Sequence, residues 1–135
     1  ALPTTQIPLD NTVPQNTEGD QVMSLAITPV SATNKLIIRI TANVSMNVGG
    51  HMITALFQDA AANALAAAAV YVNTDGVLKP ITFTHTMVAG TTSATTFKVR
   101  VGPVPVATIT FNGITSVRIF GGVMASSITI EEIIP

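Results

Sequence analysis

Hydrophobic and polar residues alternate most regularly between Lys35 and Met46. Leu36, Ile38, Ile40, Ala42, Val44 and Met46 fall on one face, and Lys35, Arg39, Thr41, Asn43 and Ser45 on the other. Successive side chains of a strand point to opposite sides of a sheet, so this period of two predicts a central antiparallel strand with one buried and one wet face. The same alternation recurs along the chain. Gln21 to Thr28 places Met23, Leu25 and Ile27 on one side, and Thr95 to Val101 sets Phe97, Val99 and Val101 against Lys98 and Arg100. Leu78 to Met87 sets Ile81, Phe83, His85 and Met87 against Thr82, Thr84 and Thr86, which puts His85 on an otherwise apolar face. In His51 to Gln58 both rows are apolar enough for a strand covered on two sides: Ile53, Ala55 and Phe57 in one, Met52, Thr54 and Leu56 in the other. Ala64 to Val72 is the one stretch where alanine argues for helix. The run is short, however, and Val70, Tyr71 and Val72 favour strand, which is the reading adopted. Val106 to Phe111, Val117 to Phe120 and Val123 to Ile134 complete the strands.

Between these runs lies turn chemistry. Ser31 to Asn34 is a polar turn, Gly49 and Gly50 suit a tight reversal, and Asn73 to Gly76 (NTDG) and Asn112-Gly113 carry hairpin signals. Ala89 to Ser93 is a glycine and threonine loop, and Pro103 and Pro105 interrupt the chain before Val106. Roughly eight or nine short strands at regular spacing, with no convincing helix, predict an all-β fold: an antiparallel β-sandwich, jelly-roll-like in form. Ahead of it, Ala1 to Gly19 carries Pro3, Pro8 and Pro14, which remove backbone donors and bias the chain toward extended conformations. Residues 1–19 are therefore expected to form an extended proline-rich N-terminal arm, and residues 20–135 a single sandwich domain. Leu2, Ile7, Leu9 and Val13 give the arm apolar teeth, with which it packs along its own domain or crosses to a neighbouring subunit.

Composition changes this picture in one respect. Charged residues are only 10% of the 135, against about 25% in ordinary domains, while the hydrophobic share of 47% is normal. Threonine, serine, asparagine and alanine stand where charges would be, and such a surface is weakly protected against association. A subunit whose neighbours cover much of it is expected. A net charge of −1 with scattered basic residues offers no footprint for nucleic acid. The apolar run Ala64 to Val72 is far short of the roughly 20 residues of a membrane helix, so no membrane insertion is expected. The chain does not open on the charged-then-apolar pattern of a signal peptide. With no cysteine it has no disulfide, thiolate metal site or cysteine nucleophile.

Catalytic chemistry is not visible. His51 and His85 do not stand at a spacing that joins two metal ligands, and no GxSxG elbow is present. The seven carboxylates fall mostly in turns or near the end, where caps and solvated faces account for them. Glu18 and Asp20 lack the dense oxygen-ligand loop of a calcium site. The sequon Asn43-Val44-Ser45 lies mid-strand and is read as chance. No catalytic, metal-binding or cofactor-binding residue is assigned, and a non-enzymatic protein is expected. Tyr71 is the only tyrosine and tryptophan is absent, so a deep sugar pocket within one subunit is disfavoured.

Several segments in order carry a family resemblance: Ile7 to Leu36, Ala55 to Ala67 (ALFQDAAANALAA), His85 to Gly102 (HTMVAGTTSATTFKVRVG) and Thr110 to Ile133. They resemble a module of tail-fibre and related virion proteins of bacteriophages and prophages. The resemblance implies an all-β homotrimer at the virion surface that contacts other virion proteins, acting as a small fibre, fibre tip or capsid decoration involved in host attachment. It supplies no catalytic residues. Two other roles are expected to compete with it: a carbohydrate-binding module that recognises host surface glycans through the loop at Ala89 to Ser93, and a filament subunit joined through its N-terminal arm.

Overall fold

A computed structural model describes residues 2–135; the first residue of the expected arm, Ala1, lies outside them. The ten strands are β1 (Asp20–Ile27), β2 (Lys35–Met46), β3 (Gly50–Gln58), β4 (Ala66–Val72), β5 (Lys79–Val88), β6 (Thr95–Val104), β7 (Ile109–Phe111), β8 (Gly113–Ile114), β9 (Val117–Arg118) and β10 (Ser127–Ile133). One sheet has the order β1-β6-β3-β4, the other β10-β2-β5 with β7 on the far end of β2, and β8 with β9 forms a small ribbon. All pairings are antiparallel. The two larger sheets pack face to face as an antiparallel β-sandwich.

The strand with the cleanest alternation is the centre of its sheet. Leu36, Ile38, Ile40, Ala42, Val44 and Met46 of β2 are all buried, and β2 is flanked by β10 and β5, with Ile130 and His85 both opposite Ile38. Its inward row meets the other sheet in two stretches of core. Leu36, Ile38 and Ile40 pack with Leu56, Phe97 and Val99, while Ala42, Val44 and Met46 pack with Met52, Val72 and Val101. On the outward row Ser45 is buried because β8 crosses it and the Gly113 carbonyl accepts its hydroxyl at 2.7 Å. Asn43 of the sequon donates its side-chain amide to the Ala125 carbonyl, so neither end of that motif is free for modification.

Strand β3 is covered on both faces, as its two apolar rows predict. Met52, Thr54 and Leu56 face the sandwich interior, and Ile53, Ala55 and Phe57 form a separate cluster on the outer face with Ile7. The cover is the N-terminal segment, which lies on its own domain and carries no strand beyond a single bridge from Gln15 to Asn63. Backbone hydrogen bonds fasten it at three places, Ile109 N–H to the Pro3 carbonyl, Ala64 N–H to Pro14 and Asn16 N–H to Ala62, and within it Gly19 N–H bonds the Gln6 carbonyl. Gly102 in β6 makes room for it, since a Cβ there would stand 2.7 Å from the backbone N of Ile7 and from the carbonyl oxygen of Thr5.

Two turns differ from their sequence reading. Asn73 to Gly76 does not close a hairpin: β4 and β5 belong to different sheets, so this turn carries the chain across the sandwich. A turn motif specifies a local reversal, whereas the partner of the next strand is chosen by burial of its apolar row. Asn112-Gly113 leads into a hairpin, but the reversal falls three residues later. Thr115 and Ser116 both take positive φ, 48° and 64°, as the two central residues of a type I′ turn must, between β8 and β9. Ala66–Val72 is a strand, paired along its length with β3.

Candidate functional site

Most of the carboxylates hold the chain in place. Asp20 accepts the backbone N–H groups of Thr4 and Thr5, both at 2.9 Å, and Asp10 caps the turn at Thr12. Asp59 accepts the Thr96 N–H at 2.8 Å. Glu132 ties the N–H of Val30 and the side-chain amide of Asn34, at 2.7 and 2.8 Å. Glu131 pairs with Arg39 at 3.1 Å on the exposed face of the second sheet. Glu18 accepts the Gln15 N–H with one carboxylate oxygen, while the other is buried without a partner. Arg100 sits beneath the turn and donates to the carbonyls of Glu18 and Gly19 at 2.7 and 2.8 Å. One oxygen of Glu18 and one of Asp20 are thus aimed at separate backbone donors. No cluster of three or more histidine, cysteine, aspartate or glutamate side chains suited to a metal ion occurs among the described residues.

The Asp20 contact has a pH signature. Burial pushes its carboxyl up, but the N–H groups of Thr5 and Thr4, the Thr5 hydroxyl and the Arg100 guanidinium together outweigh burial and hold it below the ordinary aspartate range. A carboxyl whose pKa is depressed in the folded state stabilises the fold above its unfolded value, about 3.9, and that stabilisation is lost as pH falls through the lower folded value. Hydrogen exchange at Thr4 and Thr5, corrected for intrinsic rates, is therefore expected to accelerate as the solution is acidified below about pH 4. Asp20→Asn is expected to exchange fast at neutral pH and to show little of this dependence. Equal protection of the parent protein at pH 7 and pH 3 would contradict the assignment.

The surface is concave where the N-terminal segment passes the outermost strand of the first sheet. Pro8, Leu9, Asp10, Thr12 and Pro14 on one side, and Ile53 with Ala67, Ala68 and Ala69 on the other, line a groove of about 270 Å³. It exists because the alanine side chains of β4 are too short to fill the space beneath the proline-held chain. At the far end of β4, Tyr71 is 60% exposed and its ring lies 5.2 Å from that of His51. Among the described residues Asp10 is the only titratable one lining the groove, and it takes the hydroxyl of Thr12. The groove therefore offers an apolar floor and a backbone edge, with no nucleophile and base side by side. It lies at the lower limit of common small-ligand pockets. A smaller hollow of about 180 Å³ lies among Val30, Asn34, Glu132 and Ile134.

Two further surfaces follow from the strand register. On the outer face of the second sheet Thr41 stands between Ser127 and Thr82, and Arg39 between Thr129 and Thr84, giving a flat, hydroxyl-rich face around the Arg39–Glu131 pair. The alternation of Thr82, Thr84 and Thr86 signals this row in the sequence, but only the pairing places its neighbours. The loop at Ala89 to Ser93 is tied down by Ala89 N–H to the Asn34 carbonyl and Ser93 N–H to the Thr91 hydroxyl, leaving Thr92 and Ser93 exposed. His51 lies on the outer face of the first sheet beside Tyr71, and His85 on the inward row of the second, so the two histidines stand on different sheets. Among the described residues no helix is long and apolar enough to cross a membrane. Compared with protein-family models and with curated proteins, the sequence matches none.

Proposed function

We propose that the chain is a non-enzymatic structural module of a bacteriophage particle, a homotrimer at the virion surface that serves as a small fibre, fibre tip or capsid decoration and contributes to host attachment. The observation that carries this reading is the resemblance of four ordered segments, from Ile7 to Ile133, to virion surface modules. The surface supports it. It is poor in charge, and Val30, Val106, Val123 and Ile134, each between 74% and 85% exposed, are apolar positions open to a neighbouring subunit. The form we propose for the sandwich is a jelly roll. Strands distant in the chain are neighbours in both sheets, β1 with β6 and β10 with β2, as long-range Greek-key connections produce.

Native mass spectrometry of the intact chain is expected to give three times the chain mass, and immunogold labelling is expected to mark the surface of purified particles. A monomer over the whole concentration range, or particles free of label, would reject the reading. The competing glycan-binding role rests on the loop at Ala89 to Ser93, whose exposed Thr92 and Ser93 are held on a fixed backbone. A glycan array silent at high protein concentration would dismiss it.

A further inference from the structure

A β-sheet edge presents unpaired backbone N–H and C=O groups, and folded proteins blunt such edges with charge, proline or bulges. Among the described residues, three of the four outermost strands in the orders β1-β6-β3-β4 and β10-β2-β5 are blunted. β1 begins at Asp20 and has a register shift between Gln21 and Met23. β5 opens on Lys79 and Pro80, and β10 carries Glu131 and Glu132. β4 has none of these devices. Ala66–Val72 contains no charge and no proline, and it pairs with β3 in unbroken register. Among the described residues no other backbone hydrogen bond joins it to a strand or to the N-terminal segment.

We propose that β4 is the docking edge for a second copy of this chain, paired antiparallel about a two-fold axis at Ala69, so that the two β1-β6-β3-β4 sheets continue into one another. The side chains select this occupant and this register. Ala67, Ala69 and Tyr71 share the outer face of the strand, where successive odd positions align. With Ala69 opposite its own copy, Tyr71 of each chain stands opposite Ala67 of the other. The larger residue then meets a methyl group on the wall of the 270 Å³ groove, whose apolar sides are Pro8, Leu9 and Ile53. The symmetry seats two tyrosines in two grooves at once, as an isologous contact requires. An uncharged edge carries no electrostatic code for a foreign partner, while bulky-against-small pairing across the axis is self-complementary. Together with the three-fold assembly proposed above, this two-fold contact would pair trimers, so that the chain holds three copies when dilute and six at the concentrations where the edge is occupied.

The test is sedimentation equilibrium of the full chain beside Ala69→Lys, which sets two ammonium groups against each other at the axis. Ala69 is exposed, so the substitution is expected to leave the far-ultraviolet circular dichroism, and the melting temperature measured at dilutions where the edge is unoccupied, unchanged while weakening the two-fold association at least about tenfold. Because the chain has no cysteine, single cysteines report the register. Ala69→Cys is expected to oxidise rapidly to a disulfide-linked dimer, and Ala67→Cys, four residues from its own copy's position across the axis, is not. A parent chain that is monomeric throughout, an assembly whose mass Ala69→Lys leaves unaltered, or equal cross-linking at both positions would overturn the proposal. A trimer insensitive to Ala69→Lys would remove the edge contact and leave the virion reading standing. A dimer that Ala69→Lys splits would uphold the edge and count against the trimer.

Discussion

Valine in place of Gly102 is expected to lift the N-terminal segment from the sheet and to lower stability by about 2–5 kcal/mol. The backbone at this position is not in the left-handed region, so the substitution tests close approach alone. A Cβ at Gly102 would stand 2.7 Å from Ile7 Cγ1, from Ile7 N and from the Thr5 carbonyl oxygen. Two of those three atoms are backbone and cannot rotate away. Once displaced, the segment would expose Ile7 together with Ile53, Ala55 and Phe57, all buried in the intact chain. Urea unfolding is expected to show a lower midpoint, and limited proteolysis is expected to cleave before Gly19 under conditions in which the parent chain resists. Adding Ile7→Ala should not restore the midpoint, because it removes the side-chain clash, leaves the backbone one and deletes a buried side chain of the same cluster. An unchanged midpoint and cleavage pattern would mean that the segment does not hold the position described. The same contact bears on assembly. A segment that covers its own β3 must vacate an apolar face before it can reach a neighbour, so the filament role through an exchanged arm carries that cost.

The strands were legible where a residue's environment follows from its own neighbours in sequence. The two faces of Lys35 to Met46 follow from a period of two, and their burial agrees to the residue on the inward row. His51 to Gln58 announced that both its faces were covered, because Ile53, Ala55 and Phe57 are as apolar as Met52 and Leu56. It did not announce by what. Ile7 reaches that face from more than forty residues away, and no periodicity encodes a contact of that range. The alanine run at Ala64 to Val72 was ambiguous for a related reason: propensity favours helix, and the decision rests with pairing to β3. The NTDG turn joins two sheets instead of closing a hairpin because turn residues fix the reversal and say nothing about which sheet receives the next strand. The groove was out of reach altogether, since its walls come from residues 8–14 and 67–69, joined only by the fold. That β4 is an outermost strand is likewise a property of the strand order, and the absence of charge in Ala66–Val72 takes on its meaning only once that order is known.

Phe97 and Phe57 are both fully buried, yet they are expected to respond differently to truncation. Phe97 points into the sandwich, where it packs with Leu36, Ile38 and Ile40 of the opposite sheet, and Phe57 lies under the N-terminal segment with Ile7. Phe97→Ala leaves a cavity between two sheets, each fixed by its own hydrogen bonds, so little relaxation is available. A loss of about 3–5 kcal/mol is expected, a large share of the 5–15 kcal/mol that holds a typical domain. Over Phe57 the cover is a segment without strand pairing beyond the Gln15–Asn63 bridge, and it can settle into the space. The loss should fall toward the lower end of that range. A double-mutant cycle with Ile7→Ala separates the two sites. Ile7 and Phe57 share one cluster, so their effects should be non-additive by about 0.5 kcal/mol or more, whereas Ile7 and Phe97, with no shared partner, should add. Equal coupling in both cycles would mean that the sandwich interior and the segment-covered face form one cooperative core. Coupling confined to Phe57 would instead make the segment a separately yielding cover, one that could open while the sandwich, its β4 edge and any assembly built on that edge stay folded.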